Sequence, residues 1–405
     1  MKRKLICLAL SFVLIFSLTA CWNARELNTV GISLAMGLDI EGDKILVTFE
    51  IVNPSYTQKN HGGGDVGPVK YVQGIGNTIF EAFRDVSLKF DRRILISHNK
   101  LIILGEDFAR RGLINQTDQL FRNRELRETA YMLIAKGAKA YEVMGINNGL
   151  EDLPGNYILN LIRNKRDNPK TVDVRIMNYL RDYYLEGIHT VAGVVEMIDR
   201  TQIDETGKDM GTKDKELTVI GAAVFKDDIL VAYISGNDTK ALNYIKNDVK
   251  KGLITFPTPK DIVRNRKSNL KDKHLSSVLT IKVKTKNDVE IKDEGISLKS
   301  KVKIRGTIGE VIGDIDVYNE EEFKLLEEAC SNTVKEAIKH TVEKVQREIG
   351  LDIFGFGLIF QRKYPDEFKK IKDNWDEIFS HADYQIEVET NLIRTGLIDT
   401  PINVD

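Results

Sequence analysis

Residues 278–313 read VLTIKVKTKNDVEIKDEGISLKSKVKIRGTIGEVIG. Polar and apolar residues alternate there with a period of two, the spacing of a β-strand whose successive side chains point to opposite faces. Leu279, Ile281 and Val283 are expected on a covered face, and Thr280, Lys282 and Lys284 on a wet one, with Val278 falling on the polar side. Lysine-rich alternation of this kind suits an antiparallel sheet with one solvated face. It does not suit strands buried on both sides between regular βαβ crossovers.

Downstream, Asn319 has the character of a helix N-cap with Glu322 three residues on, a capping box. The spacing predicts a helix over 320–348, about 43 Å long at 1.5 Å per residue. Leu326, Cys330, Val334, Ile338, Val342 and Val345 form its apolar stripe, so Cys330 is expected as a packed core thiol. The segment 350–379, GLDIFGFGLIFQRKYPDEFKKIKDNWDEIF, is dense in aromatic residues. It reads in two ways. It packs a helix and turn against the sheet, or Phe354, Phe356, Trp375 and Phe379 form a partner-facing patch, since aromatic residues are enriched at interface centres. The stretch YQIEVETNLIRTGL, 384–397, alternates again as a strand.

Upstream, two strands flank Lys226-Asp227-Asp228, a hairpin signal, and a helix is expected near 238–250. Before them the chain turns polar, DRTQIDETGKDMGTKDKE at 199–216, which is expected to be a linker between domains. In the first half, strands flank the turn Glu41-Gly42-Asp43, and HGGGDVGP (61–68) reads as a glycine-rich loop. A strand, a turn and a helix follow, with Ile79, Phe83, Val86 and Phe90 on one helical face and Asn77 or Thr78 as the cap. RETAYMLIAKG (127–137) and HTVAGVVEMI (189–198) read as strands. Between them Val172, Ile176, Tyr179 and Tyr183 are spaced as one helical face ending at Gly187. The sum is an α+β chain of two or three domains, mostly antiparallel sheets covered by helices. Its parts are an N-terminal α+β region over 21–198 (one or two domains), the linker, and a C-terminal α+β domain over 217–405.

At the N-terminus, Lys2-Arg3-Lys4 precedes an apolar run from Leu5 to Leu18, followed by Leu18-Thr19-Ala20-Cys21. A cationic segment, a short apolar core and a small-residue exit make a secretory signal. The run is shorter than the roughly 20 residues a spanning helix needs. Leu-small-small-Cys resembles a bacterial lipobox, so residues 1–20 are expected to be a signal peptide and Cys21 the site of diacylglycerol attachment. Two acyl chains hold a protein on a membrane where one holds only marginally. The formal charge of −1 gives no basic field for nucleic acid.

Motifs for chemistry are missing. GIGNTI (74–79) lacks the third glycine and the acidic partner of a dinucleotide loop and reads as a tight strand-to-helix turn. The six histidines, at 61, 98, 189, 274, 340 and 381, form no H-E-x-x-H, and there is neither G-x-S-x-G nor C-x-x-C. No catalytic, cofactor-binding or metal-ligating residue is assigned.

Four stretches resemble the Ger(x)C family, the lipoprotein C subunits of spore germinant receptors. They are CWNARELN (21–28), with Asn23 where the family has Asp; the segments 80–113 and 122–140; GAAVFKDDILVAYISGNDTKALNYIKN (221–247); and 342–397, which holds DIFGFG and the final Arg-Thr-Gly. The resemblance implies a non-enzymatic receptor subunit without a cofactor, lipid-anchored through Cys21 on the outer surface of the spore inner membrane. It also implies assembly with the A and B subunits of a nutrient germinant receptor, and a fold of three α+β domains. The competing reading is a solute-binding lipoprotein of an importer, expected to show two similar α/β lobes around a cleft. A surface hydrolase would need a nucleophile or metal site.

Overall fold

The structure is a computed structural model, and it describes residues 3, 29–53, 67–114, 116, 126–147, 150–199, 215–259, 274–293, 295–311 and 319–393. Cys21, the signal segment apart from Arg3, and residues 61–66 of the glycine-rich stretch lie outside the described residues.

The first sheet begins with β1 (Val30–Glu41) and β2 (Lys44–Val52), joined by a two-residue turn in which Gly42 takes φ +60°. Glu41 stands opposite Lys44. β3 (Val69–Gly76) pairs with β2, and α1 (Ile79–Val86) follows at once. Thr78 is its cap, its hydroxyl oxygen accepting the Glu81 N–H at 3.1 Å. Next come β4 (Arg93–Leu95), a 3₁₀ turn (Ile96–His98), β5 (Leu101–Gly105) and α2 (Glu106–Arg110). His98 is exposed on that turn, between the two strands. β6 (Tyr131–Lys136), α3 (Ala140–Met144), α4 (Pro154–Arg163), α5 (Ile176–Tyr183) and β7 (Val191–Asp199) complete the run. Val172 is buried but lies before α5 and not on it.

The strand order is β3-β2-β1-β5-β6-β7, continued by β8 (Lys215–Lys226) and β9 (Ile229–Ile234), with β4 also paired to β1. The centre of this sheet is parallel: β1 with β5, β5 with β6, and β6 with β7. The reason is visible in β5, Leu-Ile-Ile-Leu-Gly, whose five residues are all buried. Strands covered on both faces read as continuous apolar runs. Ile102 and Leu104 enter one core, and Leu101 and Ile103 the other. The outer pairs, β2 with β3, β7 with β8 and β8 with β9, are antiparallel. The expected hairpin at Asp227-Asp228 is β8–β9, with Asp227 at φ +54°.

Residues 200–214 of the polar stretch 199–216, the expected linker, lie outside the described residues. The strands on either side of it pair with one another, Asp199 opposite Lys215, so the first sheet continues to Ile234. A run of charged residues serves a connection between neighbouring strands as well as one between domains.

α6 (Gly236–Ile245) leads out of this sheet and into the second. The second sheet has the order β10 (Gly252–Pro257), β11 (Leu275–Lys292), β12 (Gly295–Val311) and β13 (Asp383–Ile393). β10, β11 and β12 are antiparallel neighbours, and β13 returns parallel to β12. The long hairpin carries a register shift between Thr280 and Lys282. That bulge reverses the faces expected for its first turn of alternation. Val278 and Thr280 are buried, Leu279 and Ile281 are about half exposed, and Val283 is buried again beyond the shift. An extra residue in one strand moves every later side chain to the other face.

Between β12 and β13 lie α7 (Glu320–Glu348), α8 (Phe356–Lys363), α9 (Pro365–Ile371) and α10 (Trp375–His381). α7 has the predicted bounds, and Asn319 accepts the N–H groups of Glu321 and Glu322 at 3.0 and 3.4 Å. Its stripe Leu326, Cys330, Val334, Ile338, Val342 and Val345 is buried throughout.

Candidate functional site

The sequence DIFGFG, 352–357, forms a close junction. Asp352 is fully buried, and its Oδ1 accepts the N–H groups of Phe354 (3.0 Å) and Gly355 (2.8 Å). Its Oδ2 accepts Gly357 N–H (2.8 Å) and the Trp375 indole Nε1–H (3.2 Å). An Asp that bonds the backbone two and three residues on is an Asx turn. Gly355, at φ +88°, supplies the left-handed residue that a side chain would strain. Burial pushes the Asp352 carboxyl pKa up, and the four donors pull it back.

This loop is pressed onto the first sheet's unit. His189 N–H donates to the Asp352 carbonyl oxygen at 2.8 Å. A Cβ on Gly357 would collide with the backbone of Gly187, so the two glycines let two main chains touch. Around that contact, His189 Nε2 stands 2.7 Å from Asp376 Oδ1. A carboxylate only accepts, so Nε2 carries the proton. Lys226 Nζ lies 3.6 Å from the other Asp376 oxygen. Burial would raise the Asp376 pKa, but the His189 bond and charge and Lys226 outweigh it and hold the carboxyl below its usual range. Lys372 reaches Glu186 at 2.7 Å. Glu186, His189, Lys372 and Asp376, with Tyr183, Tyr184 and Asp227, line a polar cleft of about 290 Å³.

A second tie runs through α6. Asp238 caps it with Ser235 and accepts the Thr341 hydroxyl (3.2 Å) and Lys344 Nζ (2.9 Å) from α7. Lys165 pairs with both Asp173 and Asp248. Beneath these polar ties, Val191, Ala222 and Val224 of the first sheet belong to one buried cluster with Leu326 and Ile338 of α7. The two sheets are therefore one packed body.

The four aromatic residues expected as a partner face are core. Phe354, Phe356, Trp375 and Phe379 are 5%, 0%, 3% and 0% exposed. Trp375 sits 5.6 Å from Phe360, and Phe356 5.9 Å from Tyr384, by ring centroid. Packing against the sheet consumed the surface that a partner would need, and no other aromatic of this segment replaces it as an exposed patch among the described residues. Cys330 is a buried free thiol whose pKa burial pushes up to about 11, far from a nucleophile's range. Among the described residues no group of three or more His, Cys, Asp or Glu side chains is placed to hold a metal, and no helix is long and apolar enough to cross a membrane.

His189, Asp352 and Asp376 were not singled out from the sequence. For Asp352 a signal existed, an Asp followed by two glycines, the pattern of a backbone-capping carboxylate. His189 and Asp376 are 187 residues apart, and nothing local joins them.

Family models cover both halves of the chain. Residues 23–197 match the spore germination protein N-terminal domain, and residues 220–396 match the C-terminal domain described as spore germination B3/GerAC like. The chain belongs to this GerAC-like family of spore germination proteins. It is 27% identical to spore germination protein KC of Bacillus subtilis (strain 168), over 99% of this chain and 98% of that one. It is 24% identical to spore germination protein B3 of the same organism, over 96% and 97%. The solved structure of the GerBC protein superposes with a TM-score of 0.54 at 22% identity, covering 88% of this chain and 96% of that one, and so shares the fold.

Proposed function

We propose that this chain is the C subunit of a nutrient germinant receptor, a lipoprotein that works without catalysis or cofactor. In this reading residues 1–20 are removed, Cys21 carries the diacylglycerol, and the protein sits on the outer surface of the spore inner membrane with its A and B subunits. The observation that carries it is the family match along both halves of the chain. The Leu18-Thr19-Ala20-Cys21 exit supports the anchor. The importer reading needs two similar lobes, whereas among the described residues one eight-strand path with an added short strand stands beside a four-stranded sheet. The junction at Asp352 supports a subunit whose two parts act as one piece.

The test is a comparison of wild type and Cys21→Ala in a spore former that also makes the A and B subunits. Membrane retention, co-purification and nutrient response are read together. Release of the variant with loss of the response is the expected result. Normal germination of a deletion strain without a redundant receptor would contradict the receptor reading.

A further inference from the structure

The outward side of α1 carries the wrong residues for a face left in water. Ile79, Ala82 and Val86 are buried, as an amphipathic helix requires. On the other side Phe80 is 51% exposed, and Leu88, just past the helix, is 84% exposed. The Arg84 guanidinium lies 5.0 Å from the Phe80 ring centre, and Lys70 Nζ lies 5.6 Å from that of Phe90. Behind these residues opens an apolar-floored groove of about 640 Å³ with Phe49, Phe83 and Phe90 in its walls and Arg84, Arg92 and Arg93 at its edge. Lys70, Arg84, Lys89, Arg92 and Arg93 outnumber Glu81, Asp85 and Asp91, on a chain whose total charge is −1. Asp85 is already engaged by Lys89 (2.6 Å) and Ile75 N–H (2.9 Å), and Glu81 by Asn77 N–H (2.8 Å).

The place of this patch gives it an occupant. Arg93 stands opposite Val30, the first residue of β1, and Gly31 has no side chain because the Phe90 ring lies against it. Val30 is nine residues after Cys21. Nine residues span at most about 30 Å when fully extended. We propose that the Phe80–Arg93 face is a membrane-apposed surface that inserts Phe80 and Leu88 among the headgroups of an anionic bilayer, with its arginines on the lipid phosphates. Exposed apolar side chains rimmed by basic ones are the composition of interfacial membrane contacts. This proposal rests on the lipid-anchor reading above. It adds an orientation: the β4 end of the first sheet lies against the bilayer.

The experiment uses the full lipidated chain in vesicles of pure phosphatidylcholine or with about 30% phosphatidylglycerol. An environment-sensitive dye is placed at Leu88→Cys and, as a control, at Leu253→Cys, an exposed apolar position on the second sheet. Flotation is recorded in parallel. The expected result is a blue-shifted dye at position 88 on the anionic vesicles alone, reversed by high salt and by Arg84→Gln with Arg92→Gln and Arg93→Gln. The loss of anionic preference should be at least about tenfold, because each basic residue adds to surface attraction. The dye at position 253 stays in water. A wild-type chain that floats with the vesicles while position 88 still reports water overturns the proposal and leaves the anchor reading intact. A chain that floats with neither vesicle defeats the anchor reading instead. Equal shifts at 88 and 253 mean general adhesion, and arginine variants that spare the dye shift but lose receptor assembly mean a protein partner. Either overturns the proposal.

Discussion

Asparagine at position 352 would keep the shape of the Asp352 side chain and remove half of its function. The carboxylate accepts four N–H donors, two on each oxygen. An amide keeps one oxygen and points an NH₂ at the other two donors. Whichever way it turns, two buried N–H groups lose their acceptor, either those of Phe354 and Gly355 or those of Gly357 and Trp375. An orphaned buried donor costs about 1–3 kcal/mol, so two cost roughly 2–6 kcal/mol. Removing a buried charge returns part of this, and a net loss of about 3 kcal/mol is expected. The assay is denaturant unfolding of the full chain in a Trp22→Phe background, which leaves Trp375 as the single reporter because the chain has two tryptophans. Asp352→Asn should lower the unfolding midpoint, shift the Trp375 emission, and speed amide exchange at His189, whose N–H is held by the Asp352 carbonyl. A loss below about 0.5 kcal/mol with unchanged emission would refute the reasoning. It would mean that no ionised carboxylate holds the loop.

Glu50 is buried and accepts Gly155 N–H (3.0 Å) at the start of α4; burial raises its pKa from 4.5 to about 7. Its contribution to stability is therefore full below about pH 4.5 and is lost as pH rises through about 7, a change of roughly 3 kcal/mol at 1.36 kcal/mol per unit. Glu50→Gln should remove that change, seen as a flatter unfolding free energy between these pH values; an unaltered slope would exclude Glu50 as its source. Ile338→Ala, at a position with no exposure, should cost about 2–5 kcal/mol, whereas the exposed neighbour Lys339→Ala should stay within about 0.5 kcal/mol by thermal unfolding. Gly357→Ala forces the main chains at Gly187 and Gly357 apart and should cost about 1–3 kcal/mol, with limited proteolysis showing faster cutting near the junction.

The parts of the fold that were legible are those that local rules fix. α7 was legible to the residue because its cap, its stripe and its length all agree, and the turns at Gly42 and Asp227 because two-residue hairpins demand a left-handed residue. What was not legible needed distant partners. The bulge at Thr280–Lys282 is a property of pairing with β12, so the face of Leu279 could not be read from β11 alone. The parallel order β1-β5-β6-β7 depends on which strands meet, not on any one strand's pattern. Of the polar run at 199–216 only the two ends are described, and their pairing, Asp199 opposite Lys215, is again a contact that neither strand's own pattern announces. The aromatic segment shows the same limit. Composition identified Phe354, Phe356, Trp375 and Phe379 as large apolar area that must be covered, but burial against the second sheet and contact with a partner satisfy that need alike. The deciding residue was Asp352, a single carboxylate that folds the segment inward by collecting the N–H groups of Phe354, Gly355, Gly357 and Trp375. Surface for a partner or a bilayer must then come from residues that no such tie withdraws, and exposed Phe80 and Leu88 fit that description.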